Sequence, residues 1–166
     1  MTITNRAIAV GCDEAGFELK QTVVDLLGKE GLDVKDYGCF SLAGVDYPDI
    51  AYELARAVAR GEHDRGILIC GTGIGMAITA NKVPGVRASQ VHDPYSAERS
   101  RKSNNAQIMT MGARVIGPEL AKSLVHIWLA SEFSGGDSAR KVDKIAAGER
   151  GTLQPHARHT SKGRKT

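Results

Sequence analysis

The sequence predicts an α/β fold with a parallel sheet covered on both faces. Three observations carry this. Apolar runs of strand length alternate with segments of helical periodicity along the whole chain. Ile67, Leu68 and Ile69 form a continuous apolar run of the kind shown by a strand buried on both faces. The apolar runs end in loops that carry glycine or aspartate, Gly11 to Asp13, Gly71 to Gly75, Asp93 and Gly112, before the next helical segment.

Taken in order, Ala7 to Val10 reads as a first strand that ends at Gly11, Cys12, Asp13 and Glu14. Leu19, Val23, Leu26 and Leu27 then recur at helical spacing, and Gly31 closes that helix. Leu32 and Val34 mark a short second strand before a polar loop from Tyr37 to Tyr47. After Pro48, the stripe Ile50, Leu54 and Val58 predicts a helix that stops near Gly61. The third strand breaks at Cys70 into Gly71, Thr72, Gly73, Ile74 and Gly75, then resumes as a helix over Met76 to Ala80. Val86 to Val91 is the fourth strand, and Pro94 opens an exposed, charged helix reaching Asn104. Gln107 to Met111 is the fifth strand. Pro118 and Glu119 start a helix with the stripe Leu120, Leu124, Ile127 and Trp128, and a last helix covers Ala139 to Ala147.

A chain of 166 residues suits one domain, expected here over residues 1–149. The net charge of +3 belongs to the segment 150–166, which holds Arg150, Arg158, Lys162, Arg164 and Lys165 and no acid. With almost no apolar content after Leu153, this tail is expected to be disordered, and nucleic-acid binding through it is the less favoured reading. The N-terminus runs into a strand without a signal-peptide pattern and no segment has the apolar length of a membrane span, so a cytoplasmic protein is expected. Cys12, Cys39 and Cys70 have neither metal-site nor redox-motif spacing, which agrees with a reducing compartment. Cys12 reads as a packing residue and Cys39 as an ordinary loop thiol.

The glycine turn after the third strand carries the chemistry. A strand that ends in small residues and turns into a helix leaves backbone N–H groups aimed at one point, which attracts negative charge. A helix N-terminus beside Cys70 also favours its thiolate. A dinucleotide site is one reading, with Asp93 where a ribose-binding acid would stand. The spacing is G-x-G-x-G, one residue short of the fingerprint, and no phosphate-loop lysine follows. A thiolate beside N–H donors suits proton abstraction next to a carbonyl, with the enediolate held by the N–H groups of Gly71 to Gly75. Thr72 can donate and accept, so it can manage protons on two sugar oxygens. A buried strand-end cysteine without a role is the alternative for Cys70.

The motifs GCDEAGFELK, DYPD, GILICGTGIGMAITANKVPGVRA, PYSAERSRKSNNA and GARVIG closely resemble the ribose-5-phosphate isomerase B family and its galactose-6-phosphate isomerase relatives, over roughly residues 7–147. The resemblance implies a three-layer α/β/α, Rossmann-like sandwich with a five-stranded parallel sheet. It also implies a homodimer or tetramer with sites between subunits, and an isomerisation of sugars or sugar phosphates that needs neither metal nor cofactor. On the same ground Cys70 is the base, Thr72 the assisting hydroxyl, and Gly71, Gly73, Ile74 and Gly75 belong to the anion hole. Asp13, Tyr47 and Asn104 match sugar contacts and Arg114 a phosphate ligand.

Three positions depart from that family. Glu14 stands where a histidine is usual, Ser103 where many members carry a ring-opening histidine, and Asp137 where an arginine opens the last helix, followed by Arg140 and Lys141. A carboxylate about 4 Å from a phosphate oxygen costs roughly 4 kcal/mol at an effective dielectric near 20. A free or unusual sugar, or a phosphate displaced toward Arg114, Arg140 and Lys141, is the expectation that follows, against loop drift around an intact phosphate site. His92, at the end of the fourth strand, is the candidate for ring opening. A non-catalytic sugar-binding regulator is the reading of a different class.

Overall fold

The computed structural model describes residues 7–154, and the expectation of a disordered basic tail falls largely on residues 155–166, outside them. Five strands, β1 (Ile8–Cys12), β2 (Val34–Asp36), β3 (Gly66–Cys70), β4 (Ala88–Gln90) and β5 (Ile108–Gly112), form one sheet in the order β2-β1-β3-β5-β4. Every pairing is parallel. The helices are α1 (Phe17–Lys29), α2 (Tyr47–Ala59), α3 (Ile74–Ala80), α4 (Pro94–Lys102), α5 (Pro118–Ala130) and α6 (Asp137–Glu149).

Strand alternation sorts the core into two layers. Ile8, Val10, Cys12, Ile67, Ile69, Met109 and Met111 meet α1, α4 and α5 on one face. Ala9, Leu68, Cys70 and Ile108 meet α2 and α3 on the other. The three central strands are buried along their whole length, which explains why the sequence shows runs rather than alternation there. The chain leaves β1 toward β2 on one side and returns to place β3 on the other, so the strand order reverses between β1 and β3.

Four expectations need correction. The fourth strand is shorter than Val86 to Val91, because the Val86 N–H turns back to Val83 O and the Arg87 N–H goes to Gln107 Oε1. Helix α4 is not simply exposed. Arg101 is buried on it, stacked over Trp128 with Arg65 beside the same ring, and Glu132 faces both guanidiniums. On α5 the buried stripe is Ala121, Leu124, Val125 and Trp128, with Leu120 turned to solvent. Finally, Cys39 is no ordinary loop thiol: it is buried with its Sγ 3.7 Å from that of Cys12. Burial and this neighbour push the Cys12 thiol well above the usual thiol range.

Helix α6 starts two residues earlier than expected and runs two residues beyond Ala147. Arg150 to Thr152 close it, the Thr152 N–H bonding Ala147 O, so the ordered fold continues past residue 149. None of its residues is buried.

Candidate active site

The reversal of strand order makes a crevice at the C-terminal ends of β1 and β3, the usual ligand position in an open parallel sheet. Asp13 leaves β1 there, joined to β3 by its N–H on Ile69 O at 3.2 Å. Asp13 Oδ1 accepts the Gly16 N–H at 3.0 Å and so caps the tight turn Glu14–Gly16 that leads into α1. Burial pushes the Asp13 carboxyl above its ordinary value, the Gly16 N–H opposing the shift. Glu14 is exposed. Its own N–H and that of Val45 hold its carboxyl below the usual range, with the Arg114 guanidinium adding to the effect.

Beyond β3 the chain makes the glycine turn. Gly73 has φ +79° and a Cβ there would meet the Met111 backbone at 2.9 Å, so this position tolerates only glycine. The turn is fixed from β4 and β5. Gln90 Nε2 donates to Thr72 O at 2.7 Å, and Thr110 Oγ1 donates to Gly73 O at 2.8 Å. Sequence reasoning missed both residues; the signal was available only in their place on neighbouring strands, Gln90 at the end of β4 and Thr110 in the middle of β5.

The N–H groups of the turn are not all left open to a ligand. The Gly73 N–H points at Cys70 Sγ at 3.0 Å, and the Ile74 N–H reaches Thr72 Oγ1 at 3.3 Å. Cys70 is buried against α2 and α3, whereas Thr72 is exposed. The turn therefore orients a sulfur and a hydroxyl toward the crevice side of β3.

Two further side chains lean on the same turn. A Cβ on Gly75 would lie 2.5 Å from the Tyr47 ring, so the glycine admits the ring against α3. The Arg114 side chain runs over Gly71, about where a Cβ there would make ordinary contact at 3.5 Å. His92, after β4, accepts the Gly112 N–H on Nε2 at 2.9 Å. Its proton is therefore on Nδ1, and burial holds its basicity below the ordinary histidine value. An open groove of about 420 Å³ adjoins the crevice at Glu14 and Ala113, between the starts of α1 and α5.

The structure thus brings together Asp13, Glu14, Tyr47, Cys70, Gly71, Thr72, Gly73, Ile74, Gly75, His92 and Arg114. It does not bring the remaining candidates to them. Ser103 and Asn104 follow α4 and precede β5, so they sit at the N-terminal ends of the strands, where Asn104 O accepts from Arg87 Nε. Ser103 Oγ accepts from the Arg99 guanidinium. Asp137, Arg140 and Lys141 lie on α6, which is anchored at the same far edge by the Ser134 N–H on Lys102 O and by Glu149 on the Gly85 N–H.

Residues 8–145 match the Ribose/Galactose Isomerase family. The chain belongs to that family. It is 61% identical over 136 residues to a Listeria innocua protein named ribose-5-P isomerase B, covering 82% of this chain and 92% of that protein. It is 58% identical to the D-erythrulose-4-phosphate isomerase of Pectobacterium atrosepticum, covering 84% and 92%. Among solved structures, the ribose-5-phosphate isomerase B of Clostridium thermocellum superposes with a TM-score of 0.86 at 46% identity, covering 87% of this chain and 98% of that one. The five-stranded, three-layer sandwich is the architecture this family shares with the present chain.

Proposed function

We propose that the protein is an aldose-ketose isomerase acting on a sugar phosphate through an enediolate, with Cys70 as the base. The observation that carries this is the Gly73 N–H directed at Cys70 Sγ from 3.0 Å, at the point where the strand order reverses. The thiolate takes the proton from the carbon next to the carbonyl and returns it to the former carbonyl carbon. Thr72 Oγ1 lies beside it to pass the hydroxyl proton between the two sugar oxygens. Asp13 and Tyr47 line the sugar, and Arg114 offers a cation to phosphate while offsetting Glu14. The names of the relatives offer two substrates, ribose 5-phosphate and D-erythrulose 4-phosphate. Both are phosphates, which favours a phosphorylated substrate over a free sugar despite Glu14 and Asp137.

The site is completed by a second copy of the chain. Ser103, Asn104, Arg140 and Lys141 occupy the edge opposite Cys70, so they reach a crevice only from another subunit. Ile74 and Ile78, one turn apart on α3, are 50% and 57% exposed, and Val115 is 54% exposed, apolar surface that such a subunit would cover. No helix among the described residues is long and apolar enough to cross a membrane, which accords with a cytoplasmic enzyme. The test is ketose formation from aldose phosphates by the wild type and by Cys70→Ala. Loss of the base is expected to lower kcat by about 10²–10⁴-fold. Undiminished turnover by the variant would remove Cys70 from the mechanism.

A further inference from the structure

We propose that Gln90 and Thr110 are positioning residues, each aiming one peptide N–H of the glycine turn at a side chain that carries the reaction; this rests on the isomerase reading above. A trans peptide is a rigid plane whose C=O and N–H point in opposite directions. Whatever grips the oxygen therefore sets where the hydrogen at the other end points. The peptide that joins Thr72 to Gly73 has its N–H on Cys70 Sγ at 3.0 Å and its oxygen on Gln90 Nε2 at 2.7 Å. The next peptide, joining Gly73 to Ile74, has its N–H on Thr72 Oγ1 at 3.3 Å and its oxygen on Thr110 Oγ1 at 2.8 Å. The base and the relaying hydroxyl of the enediolate step are each reached through one peptide plane from a neighbouring strand.

Backbone packing alone does not hold these planes. It fixes the Cα positions: a Cβ on Gly73 would meet the Met111 backbone at 2.9 Å, and one on Gly112 would meet the Thr72 backbone at 2.7 Å. It leaves free the rotation of a plane between two Cα atoms, which needs only ψ of one residue and φ of the next to change in opposite senses. Gly73 sits at φ +79°, and glycine accepts either sign of φ, so the plane before it can turn over at little cost. Turned over, that plane would present a carbonyl oxygen to the sulfur instead of an N–H. The carbonyls of Cys70 and Gly71 are secured by the backbone N–H groups of Ala113 and Arg114, at 2.8 and 3.0 Å. Those of Thr72 and Gly73 take side-chain donors, the Gly73 oxygen sharing its donor with the Ala77 N–H at 3.1 Å. Gln90 and Thr110 are partners in register across β4 and β5, so both side chains leave the sheet on the same face. Thr110 is fully buried, and Gly73 O is the acceptor its hydroxyl finds there.

The experiment measures kcat and KM for the full-length wild type, Gln90→Met, Thr110→Val and Thr110→Ser on the faster of D-ribose 5-phosphate and D-erythrulose 4-phosphate. The amide NMR resonances of Gly73 and Ile74 are followed in the same proteins. Methionine keeps the length of glutamine and valine the shape of threonine, but neither can donate to a carbonyl. Gln90→Met is expected to move the Gly73 resonance and Thr110→Val that of Ile74. Each should lower kcat by about 10–10²-fold, the scale of a small misplacement of reacting groups, with KM near the wild-type value. Thr110→Ser keeps the hydroxyl and loses a buried methyl, so it should be less stable than the wild type and yet turn over near the wild-type rate. Placed in a Cys70→Ala background, Gln90→Met should cost nothing further, because the sulfur it serves is gone. Wild-type kcat in either Gln90→Met or Thr110→Val, equal losses in Thr110→Val and Thr110→Ser, or a full further loss in the Cys70→Ala background would overturn the positioning proposal and leave the isomerase reading standing. Inactivity of the wild type toward both sugars would overturn the two together.

Discussion

His92 Nε2 lies 2.9 Å from the Gly112 nitrogen and accepts its N–H, tying the loop after β4 to the end of β5. Because burial lowers the basicity of this imidazole, the unfolded chain binds its proton more readily than the folded one. Its contribution is therefore complete above the unfolded value of 6.5 and declines as pH falls from there toward the lower folded value. His92→Ala leaves the Gly112 N–H without its partner and is expected to lose about 1 kcal/mol near pH 8. Denaturant midpoints measured down to about pH 5 should show the gap between the two proteins narrowing. A constant gap would mean that the imidazole does not titrate against this N–H.

Asp13 is costly to the fold, and on the proposed reading it contacts the sugar. Its carboxyl is raised above the ordinary 3.8, first by burial, so the charged form is disfavoured in the folded state. Asp13→Asn keeps an acceptor for the Gly16 N–H and removes the charge. Its melting temperature should exceed that of the wild type, by roughly 3 °C for each kcal/mol relieved. The difference should be full above the raised folded value, shrink as pH falls through it, and vanish below 3.8. KM should rise at the same time, since a sugar hydroxyl loses an ionic acceptor. A variant with lower stability and unchanged KM would contradict both halves.

Gly73 and Gly75 are two residues apart and should fail differently. Gly73→Ala forces a left-handed backbone and a contact with Met111 backbone, neither of which can yield. A stability loss of at least about 1–2 kcal/mol is expected from the conformation alone. Gly75→Ala meets the Tyr47 ring, which is 40% exposed and can swing outward. That variant should melt close to the wild type while KM rises several-fold. Thermal melts beside initial-rate kinetics separate the two, and equal losses of stability would refute the distinction.

Lys20 is fully buried, with its ammonium 2.7 Å from Asp36 Oδ2 and 2.6 Å from Cys39 O. It lies 5.6 Å and 5.3 Å from the centres of the Phe17 and Phe40 rings. Lys20→Met leaves Asp36 and the Cys39 carbonyl without their cation, and a cost of about 3 kcal/mol is expected. Adding Asp36→Asn should recover part of it, because the stranded charge is then gone. Chemical denaturation of both variants checks this. Full additivity of the two losses would show that the residues act independently.

The order of strands and helices was legible because apolar periodicity changes with each element, and the buried central strands gave the strongest signal. What was not legible depends on contacts across the fold. Nothing in the charged segment around Arg101 announces a buried guanidinium, since Trp128 and Glu132 come from a later helix and the loop beyond it. The Cys12 and Cys39 thiols meet across the loop after β2, which has no periodicity to place it. In the site, the glycine turn and the residues ending β1 and β5 could be read from position alone. Gln90 and Thr110 could not, because their role is to hold carbonyls of a turn from neighbouring strands. That Ser103 and Asn104 face away from Cys70 follows from the direction of α4, which a list of motifs does not convey.

The separation of the two groups of site residues to opposite edges of the sheet also governs how defects combine. On the proposal that a second copy completes each crevice, a chain lacking Cys70 and another lacking Lys141 are expected to be inactive alone. In a mixed pair, both lesions would then fall in one crevice and leave the other with sound parts from each chain. Two inactive proteins, unfolded together and renatured, should regain activity that neither has when renatured separately.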